Sequence, residues 1–357
     1  MCVNKQIFAE QLLLTCIPSN LSITDQHMRI EPLQQIANSL LPERLCRFRV
    51  CSERNFDAFD KDELWVSTAD CMNDGYDTRI FVDSKEVKHQ IDNFFKSYSD
   101  KTKFINLISD LSGFPQQLIQ GKEQIQALPE DDYRKIVNDL LTWITTDTAQ
   151  AIQQLPIIGQ QATKYCCFSE NLRSPSMWGI YALDESGFAL EYDFSRTPYA
   201  ESPDKNYSRE CSLFPVIYSE ERFKVPTDYI VFLLQYRILY SAIIQIGLSQ
   251  SDPSFAKSCL ASCSCPDNLM VTKISLHKSK EWERESEWRL FCTSINDTAF
   301  TNDKHGCCIK KPTALYLGRR IKPINEKILR KIADEKLIPV YKMVLDEESP
   351  SYALQVK

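Results

Sequence analysis

Three charged side chains, Glu285, Glu287 and Arg289, recur at a spacing of two within Trp282-Glu-Arg-Glu-Ser-Glu-Trp-Arg-Leu-Phe291. An extended backbone has a side-chain period of two, so it would set these three on one face and Trp288 and Leu290 on the other. Such a row can hold a ribose or a metal ion, or activate a nucleophile. Close carboxylates perturb each other's pKa, and a guanidinium offers a planar fork to phosphate. The alternative is a solvated strand face paired with Lys278 and Lys280, because charges at i and i+2 are common on exposed strands.

A second polar stretch, Cys71-Met-Asn-Asp-Gly-Tyr-Asp-Thr-Arg79, contains strong turn chemistry in Asn73-Asp74-Gly75. Asn and Asp bond their own backbone, and Gly tolerates positive φ. Cys259, Cys263 and Cys265 lie within seven residues, with Cys307-Cys308 downstream. This spacing matches none of the paired CxxC patterns of zinc sites, so these residues read as ordinary thiols and no metal is expected. His277 and His305 read as surface or hydrogen-bonded imidazoles.

The elements that must position these residues are those of a folded soluble chain. Its 357 residues are 43% hydrophobic and 25% charged, enough for a sizeable core. Only 9 glycines are present, which argues against Gly-rich phosphate loops, and no Walker or dinucleotide fingerprint occurs. A net charge of −6 argues against an extended nucleic-acid surface, since such affinity comes from Lys and Arg on phosphates. The most apolar run, Val231 to Leu248, is interrupted by Gln235, Arg237 and Gln245, so it predicts a buried helix rather than a membrane span. The N-terminus lacks a signal-peptide pattern, which predicts a cytoplasmic protein with reduced thiols despite 14 cysteines.

Residues 1–41 predict a broken helical arm, interrupted at Pro18-Ser-Asn and closed by Pro42. Strands are expected at Cys46–Val50, Leu64–Thr68, Tyr165–Glu170, Gly187–Asp193, Val216–Tyr218, Ala314–Gly318, Leu337–Val344 and Tyr352–Val356. A turn or short helix is expected at Asn55–Asp60, a loop over 194–212 and an amphipathic helix from Asn325 to Glu335. Helical patterning from Lys85 to about Gln154, broken by Pro115 and Pro129, predicts a helical insertion. Strands at both ends with helices clustered between them predict an α+β fold on a mixed, largely antiparallel sheet, with residues 42–357 as one domain.

The series Arg47-Phe-Arg49, Leu64-Trp-Val-Ser67, Met72-Asn-Asp74 with Asp77, Cys167-Phe-Ser-Glu170, Met177-Trp178 with Tyr181 and Gly187, Trp282 with Glu285-Ser-Glu287-Trp-Arg289, and Leu315-Tyr-Leu-Gly318 resembles the DUF2971 family of mainly bacterial proteins of unassigned function. The matches run from about residue 45 to 345. Two positions depart from the pattern: Gly75 stands where Pro is usual, and Ser186 where a His often precedes the Gly. The resemblance points to a polar site containing Glu287, with Asn73, Asp74, Asp77 and Trp178 as a supporting network.

An early-strand Arg, a strand Ser and a late Glu-x-Glu also look like the arrangement in arginine-type ADP-ribosyltransferases. That resemblance implies an NAD-using enzyme, a toxin or defence effector by analogy. Arg49 would grip the pyrophosphate, Ser67 or Ser169 would orient the nicotinamide ribose, and Trp65, Phe168 or Tyr181 would stack on nicotinamide. Glu287 would stabilise the oxocarbenium-like charge and Glu285 would activate the acceptor, a small-molecule nucleotide or an unidentified macromolecule. Arg289 joins Arg49 as a candidate cofactor-binding cation. Two other chemistries use the same residues. In one, a metal-dependent phosphodiesterase or nuclease, Asp74, Asp77, Glu285 and Glu287 would hold Mg²⁺. In the other, a non-catalytic ligand-binding or regulatory protein, they form a sensor pocket or a structural ion network.

Overall fold

A computed structural model of the chain describes residues 3–110, 123, 126–161, 164–196, 199–201, 208–210, 212–245, 264–291 and 305–357. Cys259 and Cys263 of the cysteine cluster lie outside the described residues, as does Pro115. The leading arm is two helices, α1 (Val3–Leu14) and α2 (Ile23–Leu40), the second capped by Ser22, whose hydroxyl accepts from the Asp25 N–H. The arm is not detached: Phe8, Leu12, Leu33 and Ala37 are buried against Phe214, Ile217, Leu276 and Phe291. A buried latch fixes its hinge, with Asp267 accepting from the Ile17 N–H at 3.1 Å and from Lys273 Nζ at 2.6 Å.

After the arm come β1 (Leu45–Arg49), α3 (Glu53–Asp60) and β2 (Glu63–Thr68). The helical insertion follows as α4 (Ser84–Tyr98), α5 (Lys101–Asp110) and α6 (Glu130–Gln161). It runs past the expected end at Gln154, carrying Pro156 inside the helix. Next stand β3 (Lys164–Ser169), α7 (Pro175–Tyr181), β4 (Phe188–Tyr192), β5 (Tyr199–Glu201), β6 (Ser208–Glu210), β7 (Ser212–Pro215) and β8 (Ile217–Ser219). The short strands β5 and β6 fall within the polar stretch whose composition predicts a loop. The chain continues through α8 (Thr227–Gln245), α9 (Met270–Leu276), β9 (His277–Ser279), β10 (Glu287–Phe291), β11 (His305–Ile309), β12 (Ala314–Leu317), α10 (Pro323–Lys336), β13 (Val340–Leu345) and β14 (Leu354–Val356). Among the described residues no helix is long and apolar enough to cross a membrane.

The fold is α+β, on a mixed and mostly antiparallel sheet ordered β14-β13-β12-β4-β1-β3-β2-β11-β5-β6, with β10 and β7 branching from β3. The β12–β13 pair is parallel, as is the separate β8–β9 pair. One face of the sheet carries the main core, with Leu64, Val66, Phe168, Leu190, Trp288 and Leu290 packed beneath Phe59, Leu329 and Ala333. A satellite core of Ile80, Val87, Tyr133, Ile152, Ile230 and Ile274 ties the helical insertion to α8 and α9.

The feature that makes room for a site is a fork at β3. One edge of β3 pairs with β10 along its length, from Phe291↔Tyr165 to Glu287↔Ser169. Its other edge is shared: β2 pairs at the start through Ser67↔Tyr165, and β1 pairs at the end through Cys46↔Ser169. Between those contacts the strands diverge. A gap in a sheet leaves backbone groups and side chains without ladder partners, and polar side chains fill such gaps at lower cost than apolar ones.

Candidate functional site

A cleft of about 270 Å³ opens at the fork, lined among others by Arg49, Ser67, Asn73, Asp77, Ser169, Tyr181, Glu285 and Glu287. Residues from both ends of the chain thus meet in one place. Cross-strand partners share a sheet face, so the pairings put Tyr165, Cys167 and Ser169 on the same face as Glu287, Arg289 and Phe291. That face is polar where the opposite one is the main core.

The segment bearing the two glutamates is not one extended strand. Lys280–Glu285 forms a 3₁₀ turn, Ser286 adopts a left-handed conformation with φ 45°, and the strand begins only at Glu287. Glu287 and Arg289 reach the cleft face by alternation. Glu285 reaches it through the kink at Ser286, aided by the Ser169 hydroxyl, which donates to the Glu285 carbonyl at 2.6 Å. Nor is the charged row solvated: Glu285 and Glu287 are 3% exposed and Arg289 is fully buried.

Burial demands partners, and the site supplies them. Lys278, from β9, donates to Glu287 Oε2 at 2.8 Å and to Glu285 Oε2 at 2.5 Å. Arg289 Nε donates to Glu287 Oε1 at 2.8 Å, while its Nη2 contacts both Asp77 oxygens at 2.7 and 2.8 Å. Its Nη1 donates to the Ser275 carbonyl at 2.6 Å, and the guanidinium lies 4.3 Å from the centre of the Tyr165 ring. Tyr181 donates its hydroxyl proton to Glu285 Oε1 and receives Asn73 Nδ2 at 3.1 Å.

The electrostatics divide the two glutamates. Burial opposes the charge of Glu287, but Arg289 and Lys278 outweigh it and hold the carboxyl well below the usual range. Burial likewise raises Glu285, and there Lys278 does not fully offset burial and the neighbouring Glu287 charge. One carboxylate is therefore firmly ionised, while the other titrates above an ordinary glutamate. Three carboxylates, those of Asp77, Glu285 and Glu287, face two cations; burial raises Asp77 as it raises Glu285, so one proton on either makes the cluster neutral rather than negative.

Arg49 has the opposite problem. It stands opposite Phe188 in the β1–β4 ladder, at the end of its strand, and enters the cleft through the fork. Arg47 beside it is engaged with Cys166 Sγ and with the Trp65 carbonyl at 2.8 Å. Arg49 has no ion pair or side-chain hydrogen bond among the described residues, and burial together with the Arg47 charge pushes its pKa down to about 9. The Tyr165 hydroxyl, buried on the cleft wall, also has no partner among the described residues.

Other expected members take different places. Asp74 does not join the cluster: its Oδ1 caps the Tyr76 N–H at 2.9 Å, and it lines a neighbouring cavity instead. Trp178 lies behind the cleft, edge-on to Phe48 at 5.2 Å, with its indole N–H on the Leu172 carbonyl. Ser169 is occupied in shaping backbone, since its hydroxyl also receives the Asn171 N–H at 3.0 Å. Arg289 lies beneath the cleft and acts through Glu287 and Asp77. Of the four carboxylates of the Mg²⁺ arrangement, Asp74 stands apart, and Asp77, Glu285 and Glu287 are ion-paired with Lys278 or Arg289. The sequence pairs Lys278 with the charged row only on a solvated face; its burial is what patterning missed, because a lysine between His277 and Ser279, with Lys280 beyond, reads as solvated.

An α+β protein with a polar cleft at a forked sheet, floored by a buried ion cluster, is the class these features define. Residues 177–290 match the family described as a protein of unknown function, DUF2971, the family that the sequence resembles. That stretch carries Tyr181, Lys278, Glu285, Glu287 and Arg289, whereas Arg49, Ser67 and Asn73 come from outside it. No curated protein and no solved structure gives a significant match to the chain.

Proposed function

We propose that the cleft binds NAD and that the protein is an ADP-ribosyltransferase-like enzyme acting at the nicotinamide N-glycosidic bond. The observation that carries this reading is that Arg49, a cation without a counter-ion among the described residues, shares one cleft with an ionised glutamate and a second glutamate of raised pKa. The guanidinium suits a pyrophosphate oxygen pair. Ser67 offers a polar contact to a ribose, and Tyr181 and Trp65 offer aromatic edges to the base. The cavity is near the lower limit of the ~300–1,000 Å³ of ligand pockets, enough for the nicotinamide ribose with the remaining nucleotide directed outward.

In the reaction the C1′–N bond breaks, its electron pair leaves with nicotinamide, and an acceptor oxygen or nitrogen bonds to C1′. Glu287 faces the developing positive charge, and Glu285 takes the proton released by the acceptor, with Tyr181 setting its orientation. A reducing cytoplasm, the compartment the sequence predicts, is one where NAD consumption would suit a toxin or defence effector. The test is nicotinamide release from NAD, alone and with candidate acceptors, by the wild type and by Glu285→Gln and Arg49→Ala. Turnover lost in both variants supports the reading; no turnover and no NAD binding by the wild type overturns it.

A second reading is favoured by one specific observation. Both oxygens of Glu287 are taken by Lys278 and Arg289, which is what a structural ion cluster under a non-catalytic ligand pocket requires. Binding of a nucleotide without turnover would select it.

A further inference from the structure

Arg49 has a companion in the cleft. Arg47, on the same strand, also lines it, and its guanidinium touches only uncharged groups, Cys166 Sγ and the Trp65 carbonyl. Neither arginine makes an ion pair among the described residues. Beyond burial itself, the groups that act most strongly on Arg49 are the Arg47 charge, which repels it, and the side chains of Cys166, Tyr192 and Cys167. Both arginines are partly exposed, so a molecule in the cleft can reach them. A guanidinium has more N–H donors than the two contacts of Arg47 use, which leaves both residues free to bind.

The register explains why the carboxylates of the ion cluster do not serve as their counter-ions. Cross-strand partners share a sheet face, and Arg47 and Arg49 stand opposite Leu190 and Phe188, on the face of the main core. Cys46 stands opposite Ser169, and Ser169 opposite Glu287, on the other face. The cleft thus runs through the sheet at the fork, with the ion cluster on one side and the two arginines on the other. Glu285 and Glu287 are engaged by Lys278, and Asp77 and Glu287 by Arg289. Two cations withdrawn from water beside each other are costly, and an anion between them removes that cost. A phosphodiester or a halide brings one negative charge. A phosphomonoester brings close to two, on three oxygens of one tetrahedral atom that two planar forks can share.

We propose that Arg47 and Arg49 form a subsite for a terminal phosphate, a phosphomonoester dianion seated between the two guanidiniums, with the rest of the ligand directed through the fork toward Ser67 and the ion cluster. Sugar phosphates and mononucleotides share this chemistry. The subsite stands whether or not the protein turns over NAD, whose two linked phosphates carry one charge each.

Isothermal titration of the full chain with ribose 5-phosphate tests it, at pH 8, above the second phosphate pKa of about 6, with ribose as the uncharged control. Saturable binding of ribose 5-phosphate, undetectable for ribose and weakened about tenfold or more by Arg47→Gln and by Arg49→Gln alike, is the expected result. The glutamine amide at 47 can still donate to the Trp65 carbonyl; where that variant nonetheless melts lower, Arg47→Lys, which keeps the charge, should bind more tightly than Arg47→Gln. A lysine no better than glutamine overturns the subsite, as does binding lost in Arg49→Gln alone, which would leave the anion to one arginine. Equal binding of ribose, or no binding of ribose 5-phosphate, also overturns it. NAD binding more tightly than ribose 5-phosphate, with that preference abolished by Arg47→Gln, would assign the pair to a pyrophosphate instead. Nicotinamide release from NAD is read separately, so either result can fail without the other.

Discussion

The Lys278 ammonium donates to Glu287 Oε2 at 2.8 Å, and the same nitrogen reaches Glu285. One lysine thus bridges a pair of buried like charges, with Arg289 sharing the load on Glu287. Removing one partner of a buried ion group leaves the others uncompensated, at a cost of about 3–5 kcal/mol. Lys278→Met should lower unfolding stability by about that amount in urea titration. Lys278→Met combined with Glu285→Gln should recover part of the loss. An unaltered Lys278→Met midpoint would show that the cluster is not needed for folding.

Acid should act through Glu287. Its folded-state pKa is depressed, so its stabilisation is complete above the unfolded glutamate value and disappears as pH falls through the folded one. Thermal melts of the wild type should therefore lose stability on acidification below the ordinary carboxylate range. Glu287→Gln should melt lower at neutral pH and show a shallower fall on the acid side.

Arg49 should behave as a binding residue. It has no partner among the described residues, so Arg49→Ala should leave the melting temperature nearly unchanged or raise it. NAD affinity, followed by titration calorimetry, should fall by about ten- to a hundredfold, the contribution of one charged hydrogen-bonding group. A large melting-temperature loss without an affinity change would assign Arg49 a structural role.

The close approach of β4 to β1 should tolerate no side chain at Gly187. A Cβ there would run into the Arg49 carbonyl oxygen, a contact with backbone that cannot swing aside. Gly187→Ala should destabilise the protein and disturb binding in the cleft, because it displaces the strand end that carries Arg49. Gly179 in α7 has no neighbour within 4 Å of the place a methyl would take, and Gly179→Ala should be neutral or stabilising by up to about 1 kcal/mol. Urea titration of the two variants side by side checks both.

Catalysis, where it occurs, should show the raised pKa of Glu285. The acid limb of a kcat/KM profile for nicotinamide release should lie above the normal glutamate range, since Glu285 must be ionised to accept a proton. Tyr181→Phe removes the hydroxyl that donates to this carboxylate and should move the limb further up. A limb unchanged in Tyr181→Phe would place the titrating group elsewhere.

Much of the fold is legible in the sequence because alternation and punctuation are local. Leu64 and Val66 alternate with Trp65 and Ser67, and the strand over 63–68 follows. The turn at Asn73-Asp74-Gly75 is equally plain, yet its neighbours part ways: Asn73 and Asp77 face the cleft and Asp74 the neighbouring cavity. A period of two predicts that Glu285 shares a strand with Glu287, and the left-handed Ser286 replaces that strand with a kink that still brings the carboxylates together. Lys278 could not be read as buried, because lysine is solvated by default and its burial depends on carboxylates seven and nine residues on. The fork itself leaves no local trace, since which strand pairs with which edge of β3 is settled by tertiary packing.

The fork also has a kinetic side. Its three prongs come from residues 45–49, 63–68 and 164–169, and the helical insertion separates the second from the third. Contacts so distant in sequence form late, after the loop-closure entropy has been met. The cleft comes into being only when the sheet has closed around β3, so binding in it should report the finished fold and no earlier intermediate.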